Sequence, residues 1–276
     1  MPFIAIIGAG PIGSALAHKL AARSRIRDIR LIDPDGTVAR GKALDILQSG
    51  PVENYDTLVT GTDSLLAAAG AQAIAIADSA AGHAEHSGEA GLSLLRQLRD
   101  AGVRAPLVFT GATQRDLINR AISELRLPSH LLVGAAPFAL ESALRAMCGV
   151  IADRSPVDIS LAVAGAPPKH VVVAWEEAAI SGQPLTSVLH AHEIAAVAAR
   201  IPGLWPPGPY ALASAGARVV EALCKGSRRR FSCFVDAGRG RIAAMPVELE
   251  RGGVKRLIQP ALTRMEQTVL ENALQS

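Results

Sequence analysis

Three glycines near the N-terminus have the spacing of a phosphate-binding turn. Gly8, Gly10 and Gly13 stand in the run GAGPIG, which follows the apolar residues 3–7 and precedes a helical pattern over 11–22. In that context the first glycine permits a tight turn, the second lets a diphosphate approach the backbone, and the third lets the helix lie close to the strand. Free N–H groups at the start of the helix would hold the anion. We therefore predict that the cofactor-binding residues of this turn are Gly8, Gly10, Pro11, Ile12 and Gly13.

A carboxylate at the end of the next strand discriminates between dinucleotides. Asp33 closes the run 28–33 and lies 20 residues after Gly13. Its oxygens can accept hydrogen bonds from a ribose diol, and its charge repels a 2′-phosphate. The following residues, Pro34 and Asp35, supply no cation. The sequence therefore predicts NAD rather than NADP, with Asp33 as the ribose-binding residue. A glycine-rich turn without a ligand, FAD and other nucleotides are the alternatives.

Apolar runs and amphipathic stretches alternate through the first half of the chain, which predicts crossover units and a parallel sheet. The apolar runs are continuous, as in strands that are covered on both faces. The expected fold class is α/β, with a Rossmann-type doubly wound parallel sheet in a dinucleotide-binding domain over 1–134. Strands are predicted over 3–7, 28–33, 57–60, 73–77, 106–109 and 131–133, and helices over 11–22, 38–48, 89–100 and 113–126.

The second half has closely spaced strands and predicts a C-terminal α+β domain over 135–276. The segment IPGLWPPGPY at 201–210 cannot be continuous helix because of its prolines. Strands are predicted in DISLAVAG and at 171–175, 231–235 and 241–247, and helices at 191–199, at 211–225 and from about residue 263.

Composition excludes several classes of protein. The 276 residues are 49% hydrophobic and 19% charged, which excludes a disordered chain. Aromatic residues make up 3% and the net charge is +3, which gives little basis for nucleic-acid binding. No apolar run reaches the ~20 residues of a membrane helix. Neither a leader pattern nor metal-site spacing of the three cysteines is present, so we expect a cytoplasmic protein without a membrane partner.

Several segments carry a distinctive pattern in order along the chain. They are IAIIGAGPIGSALA, LIDPDG, GKALDILQSGPV at 41–52, ALESALR at 139–145, VAGAPPKHVVV at 163–173, ISGQPL at 180–185 and MPVELERGGVKRLIQPALTRME at 245–266. In this order and spacing they resemble the lactate/malate dehydrogenase family over nearly the whole chain. The resemblance implies a second domain for substrate binding and dimerisation, a small-molecule substrate, and a homodimer or homotetramer.

The same resemblance implies catalytic residues, and this sequence departs from them. Pro167 stands at the family's catalytic histidine, and His170 follows three residues later. Glu141 stands at the aspartate that orients the histidine. Leu144 replaces a substrate-binding arginine, and Arg145 is the next residue. The candidate catalytic residues are therefore Glu141, Arg145 and His170. A helix ion pair between Glu141 and Arg145, and a surface role for His170, are the alternatives.

Two further departures concern the cofactor cleft. The segment 83–89 stands where the family has its mobile arginine loop, yet it carries Glu85 and Glu89, which would repel a carboxylate. A solvated lid is the favoured interpretation, and no metal site is predicted. Asp78 places a negative charge near the path of the cofactor, which would lower the affinity for NAD or serve another ligand.

Three functional hypotheses follow. The first is a divergent NAD-dependent oxidoreductase that acts on an unidentified small hydroxy or oxo compound. The second is a catalytically inactive NAD-binding sensor or assembly protein. The third is a conventional malate dehydrogenase, in which His170 takes the histidine's place and Arg228, Arg229 or Arg230 supplies the substrate clamp.

Overall fold

A computed structural model describes residues 2–238 and 240–275 and contains one large mixed sheet. The strands are β1 (Ile4–Ile7), β2 (Asp28–Ile32), β3 (Leu58–Thr62), β4 (Ile74–Ile76), β5 (Leu107–Phe109), β6 (Leu132–Gly134), β7 (Ile159–Ser160), β8 (Val163–Ala166), β9 (His170–Val173), β10 (Ala179–Ile180), β11 (Gln183–Pro184), β12 (Arg230–Asp236), β13 (Ile242–Glu250) and β14 (Gly253–Leu257). The strand order of the large sheet is β3-β2-β1-β4-β5-β6-β12-β13-β8-β9, with β14 paired to β13, and a three-stranded sheet has the order β11-β10-β7.

Strands β1 to β6 pair in parallel, as the alternating pattern predicts, and the α/β fold class is confirmed. The chain changes direction around β1, which lies between β2 and β4, so the ends of these strands form a crevice. The helices are α1 (Pro11–Ala22), α2 (Gly36–Glu53), α3 (Gly88–Asp100), α4 (Arg115–Ser123), α5 (Ala136–Ala152), α6 (Ala191–Ala199), α7 (Pro209–Lys225) and α8 (Arg264–Gln275).

Helix α2 is longer than the predicted span of 38–48 because capping signals lie at both of its ends. The Asp35 side chain accepts a hydrogen bond from the Val38 N–H at 3.1 Å and begins the helix at Gly36. Asn54 adopts a left-handed conformation with φ of 60° and ends the helix after Glu53.

In the second half of the chain, one predicted strand is wrong and one predicted interruption of helical structure is confirmed. The run DISLAVAG forms two strands in different sheets, since β7 pairs with β10 whereas β8 pairs with β9 and β13. In the region 201–210 a short 3₁₀ turn over Ile201–Leu204 precedes α7, which begins at Pro209.

The two halves of the chain share one sheet and one core. Strand β12 pairs antiparallel with β6 through Phe234 and Gly134. The larger apolar cluster draws side chains from both halves, and a smaller cluster lies between α5 and the strands after it. The domain boundary expected at 134/135 stays a prediction. No helix among the described residues is long and apolar enough to cross a membrane.

Candidate dinucleotide and active site

The glycine turn has the close approaches that its sequence predicts. Gly8 follows β1 with φ of +106°, and its N–H donates to the Ile32 carbonyl at 2.7 Å. A Cβ on Gly13 would lie 1.9 Å from the Gly8 carbonyl oxygen. Only glycine permits this contact between the start of α1 and the end of β1. The first turn of α1 therefore faces the crevice with its backbone amides, which have no intrahelical partner.

Asp78, which follows β4, occupies those amides. Its Oδ2 accepts from the Ile12 N–H at 3.0 Å and its Oδ1 from the Gly13 N–H at 2.9 Å. We call the backbone N–H groups of Ile12 and Gly13 the amide cradle. A Cβ on Gly10 would lie 2.4 Å from the Asp78 Cγ, so the space that this glycine leaves holds the carboxylate. The amide cradle is thus an anion site, and in this structure its anion belongs to the chain.

Asp33 is fully buried and ties three segments together. Its Oδ2 accepts from the Ala9 N–H at 2.8 Å and the Ala80 N–H at 2.9 Å, and its Oδ1 accepts from the Asp35 N–H at 2.9 Å. In this conformation the carboxylate joins the glycine turn to β2 and to the segment after β4. Its predicted ribose contact stays a prediction.

Glu85 does not extend into solvent as the solvated-lid interpretation expects. Its carboxylate accepts from the Ala112 N–H at 2.9 Å and the Thr113 N–H at 2.7 Å, just before α4. A Cβ on Gly111 would lie 2.3 Å from the Glu85 Oε2, so this glycine leaves room for the carboxylate. Among the described residues no group of three metal-ligating side chains is present.

Glu141 and Arg145 lie on α5 and line a cavity of about 410 Å³, but they do not form an ion pair in the described part of the chain. The Glu141 Oε2 accepts from the Ser232 Oγ at 2.8 Å. The Arg145 guanidinium donates to the carbonyls of Pro156 at 2.9 Å and Val157 at 3.2 Å. The alternative interpretation as an i, i+4 ion pair is therefore not supported, because both side chains have hydrogen-bond partners on other elements.

The structure does not join His170 to Glu141. His170 is half-buried at the start of β9, opposite Ala166. Leu140, Leu144 and Cys148 are the buried α5 residues of the smaller apolar cluster, which also contains Val163 of β8. The face of α5 toward these strands is consequently apolar, and the predicted catalytic roles of Glu141, Arg145 and His170 stay predictions.

Burial makes the Glu141 carboxyl a weaker acid than usual. Its side chain is 5% exposed, and burial raises its pKa to about 7, against smaller opposing effects of Ser232 and Arg145. The folded chain keeps this carboxyl protonated up to about pH 7, whereas the unfolded chain ionises it near its ordinary pKa of 4.5. The contribution of Glu141 to the free energy of unfolding is therefore fully present below pH 4.5, and it falls as the pH rises from about 4.5 to about 7.

Replacing Glu141 by glutamine should remove that pH dependence. Between about pH 4 and pH 8 we expect the free energy of unfolding of the wild type to fall by about 3 kcal/mol relative to Glu141→Gln. Urea unfolding at several pH values measures the difference. Glu176→Gln, at an exposed position, should behave as the wild type, and parallel curves for all three proteins would contradict the prediction.

Comparison with known proteins finds relatives that align with nearly the whole chain. No protein-family model matches the chain. It is 28% identical to the malate dehydrogenase of Thermomicrobium roseum, covering 98% of this chain and 94% of that protein. It is 27% identical to the malate dehydrogenase of Roseiflexus sp., over 100% and 96% of the two chains. These relatives support the lactate/malate dehydrogenase family for this chain.

Solved structures of this family share the fold. A lactate dehydrogenase from Cryptosporidium parvum, solved with lactic acid and NAD, superposes with a TM-score of 0.88 at 20% identity and covers 99% of this chain and 95% of its own. The malate dehydrogenase of Aeropyrum pernix gives a TM-score of 0.86 at 19% identity, covering 99% and 95%.

Sequence reasoning noticed Asp78 but missed its hydrogen bonds, and it missed Glu85 and Ser232 as partners. The signal for Asp78 is its place directly after a parallel strand adjacent to β1, because such strand ends meet at one edge of the sheet. Glu85 reaches its amides from 27 and 28 residues away in the chain. Ser232 meets Glu141 across 91 residues, and no local pattern encodes that contact.

Proposed function

We propose that this chain is a divergent NAD-dependent oxidoreductase whose substrate is a small hydroxy or oxo compound other than malate or lactate. Its relationship to malate dehydrogenases over 98% of its length supports the reaction class. The observation that carries the proposal is the amide cradle, which holds a carboxylate where a dinucleotide fold holds a diphosphate.

The residues of the turn fit an anionic cofactor in their chemistry. The amides of Ile12 and Gly13 would hold the diphosphate, with Gly10 leaving the space beside them, and Asp33 would approach the ribose. When bound, NAD supplies the acceptor for a hydride from the substrate alcohol. A diphosphate in the cradle requires Asp78 to leave it, because the same two N–H groups cannot serve both anions at these distances.

The residues available for substrate differ from those that the family resemblance implies. Proline at 167 cannot carry a proton, and Leu144 cannot clamp a carboxylate. A substrate of this protein must therefore be recognised by other groups. Glu141, Arg145 and His170 are the residues of this chain that we propose for proton transfer and substrate binding.

A non-catalytic NAD-binding sensor or assembly protein is the second candidate. The observation that favours it is the apolar packing of Leu140 and Leu144 with Val163, which leaves no acid–base pair between α5 and the β8–β9 strands among the described residues. Localisation to the cytoplasm stays a prediction from the sequence, and assembly as a homodimer or homotetramer stays a prediction from the family resemblance.

Calorimetric titration of the purified chain with NAD, NADP and FAD tests the cofactor. We expect binding of NAD and weaker binding of NADP and FAD. Spectrophotometric screening with NAD and NADH against small alcohols, ketones and imines then separates the candidates, because only the oxidoreductase changes the NADH absorbance. Absence of dinucleotide binding at millimolar concentration, by the wild type and by Asp78→Ala alike, would overturn both candidates.

Replacing Asp33 by alanine should weaken NAD binding about tenfold and narrow the discrimination against NADP, because the carboxylate can accept from the ribose and repels a 2′-phosphate. Asp56→Ala removes an exposed carboxylate between α2 and β3 and serves as the control. Since Asp33 also holds three backbone amides, circular dichroism must first establish that the variant is folded. Unchanged affinities for both dinucleotides would contradict the ribose role.

A further inference from the structure

Asp78 and Glu85 belong to one short hairpin that lies over the cofactor crevice. The two residues form an isolated antiparallel bridge, and the Ser79 N–H donates to the Ala84 carbonyl at 2.9 Å. We call residues 78–85 the acidic hairpin. Asp78 binds the amide cradle of α1, and Glu85 binds the amides of Ala112 and Thr113 before α4. One segment thus places a carboxylate on each side of the crevice.

Further hydrogen bonds hold the acidic hairpin at the edge of the sheet that carries the amide cradle. The Gly10 N–H donates to the Asp78 carbonyl at 2.9 Å, and the Ala80 N–H donates to the buried carboxylate of Asp33. At its C-terminal end the Gln114 side chain donates to the His86 carbonyl at 3.1 Å. These contacts join this segment to the glycine turn after β1, to the residue after β2 and to the residue before α4.

The acidic hairpin resembles a bound ligand in its chemistry. Carboxylate oxygens replace phosphate oxygens on amides at a helix N-terminus, where the partial positive charge favours any anion. A diphosphate in the amide cradle would compete with Asp78 for both N–H groups and would experience the repulsion of its charge. The carboxylate also fills the space that Gly10 leaves.

The contacts that hold the hairpin are mainly hydrogen bonds. We therefore expect local opening of the hairpin to cost less free energy than unfolding of the whole chain. The hairpin tip at 81–84 is exposed, and Gly82 and His83 at the turn have positive φ. The Nε2 of His86, at its base, is buried without a hydrogen-bond partner in the described structure, so the closed form leaves one polar group unsatisfied. Segments with few buried apolar contacts are those that open locally.

We propose that the acidic hairpin is an intramolecular gate of the dinucleotide site, closed by Asp78 on the amide cradle and Glu85 on the Ala112 and Thr113 amides, and that a dinucleotide binds only when the hairpin leaves. This inference rests on the proposed function for the identity of the ligand. The competition between Asp78 and a bound anion for the amide cradle involves the chain's own residues. It is therefore measurable with inorganic pyrophosphate in place of the dinucleotide.

The test compares the full chain with Asp78→Ala, and with Asp78→Asn in case the alanine variant does not fold. Asp116→Ala, which removes an exposed carboxylate from the first turn of α4, is the matched control. Calorimetry with NAD and with inorganic pyrophosphate gives affinities, and NMR hydrogen exchange reports the protection of the Ile12 and Gly13 amides.

We expect those amides to be protected in the wild type and in Asp116→Ala, and to exchange at least tenfold faster in Asp78→Ala. Affinities for pyrophosphate and NAD should rise at least tenfold in Asp78→Ala and by less in Asp78→Asn. Unprotected amides in the wild type, or equal anion affinities in all variants, would overturn the gate. Tighter pyrophosphate binding by Asp78→Ala, with no NAD binding by any variant, would support the gate while refuting the proposed function.

Discussion

Purified wild-type chain should reduce oxaloacetate and pyruvate with NADH at least about 10⁴-fold more slowly than a malate or lactate dehydrogenase acting on its own substrate. A positioned acid–base group typically contributes ~10²–10⁴ in rate, and substrate orientation contributes several kcal/mol more. Because these contributions do not simply add, the expected factor is set below the product of the two separate effects. The residues at the positions concerned are Pro167 and Leu144.

A coupled assay that follows NADH absorbance measures this rate, with recombinant malate dehydrogenase of Thermomicrobium roseum as the positive control. The Asp78→Ala variant should be assayed beside the wild type, because it separates slow chemistry from hindered cofactor binding. Turnover within tenfold of the control, abolished by His170→Ala, would establish the conventional malate dehydrogenase hypothesis in place of our proposal.

Replacement of Gly13 by alanine should destabilise the fold by at least about 3 kcal/mol. The added Cβ would lie 1.9 Å from the Gly8 carbonyl oxygen and 3.3 Å from the Ala77 Cβ, so α1 must move away from β1. Overpacking of this kind typically costs ~1–3 kcal/mol, and a contact with fixed backbone lies at the upper end or beyond. Urea unfolding followed by far-UV circular dichroism measures the loss.

Gly41 provides the matched control, since it lies inside α2, is exposed, and has no atom within 4 Å of its ideal Cβ position. Gly41→Ala should increase the free energy of unfolding by up to about 1 kcal/mol through helix propensity. The two substitutions add the same methyl group with opposite expected signs. A Gly13→Ala variant as stable as the wild type would show that the turn does not have the described geometry.

The fold was largely predictable from local patterns because its first half repeats one unit. Residues 3–7, the glycine turn and 11–22 each carry their own signal, and their structure follows it closely. Boundaries were less predictable, as α2 shows. The run DISLAVAG failed as one strand because its two parts pair with different sheets, which is decided by partners distant in the chain.

The candidate site was predictable in position but not in its present state. The amide cradle follows from glycine spacing, whereas its occupant, Asp78, lies 65 and 66 residues from the amides it binds. The sequence matched Glu141 to a family position, but its hydrogen-bond partner, Ser232, lies on β12, which is distant from α5 in the chain. Side-chain partners of this kind depend on how elements assemble, which spacing along one element does not encode.

The pairing of Phe234 with Gly134 has a mechanical consequence. Because β12 pairs with β6 and the larger apolar cluster contains side chains from both halves, we expect the two halves of the chain to move and unfold together. A ligand would then enter the crevice by displacing a few residues at its rim. Heat or urea should unfold both halves of the chain in the same cooperative step.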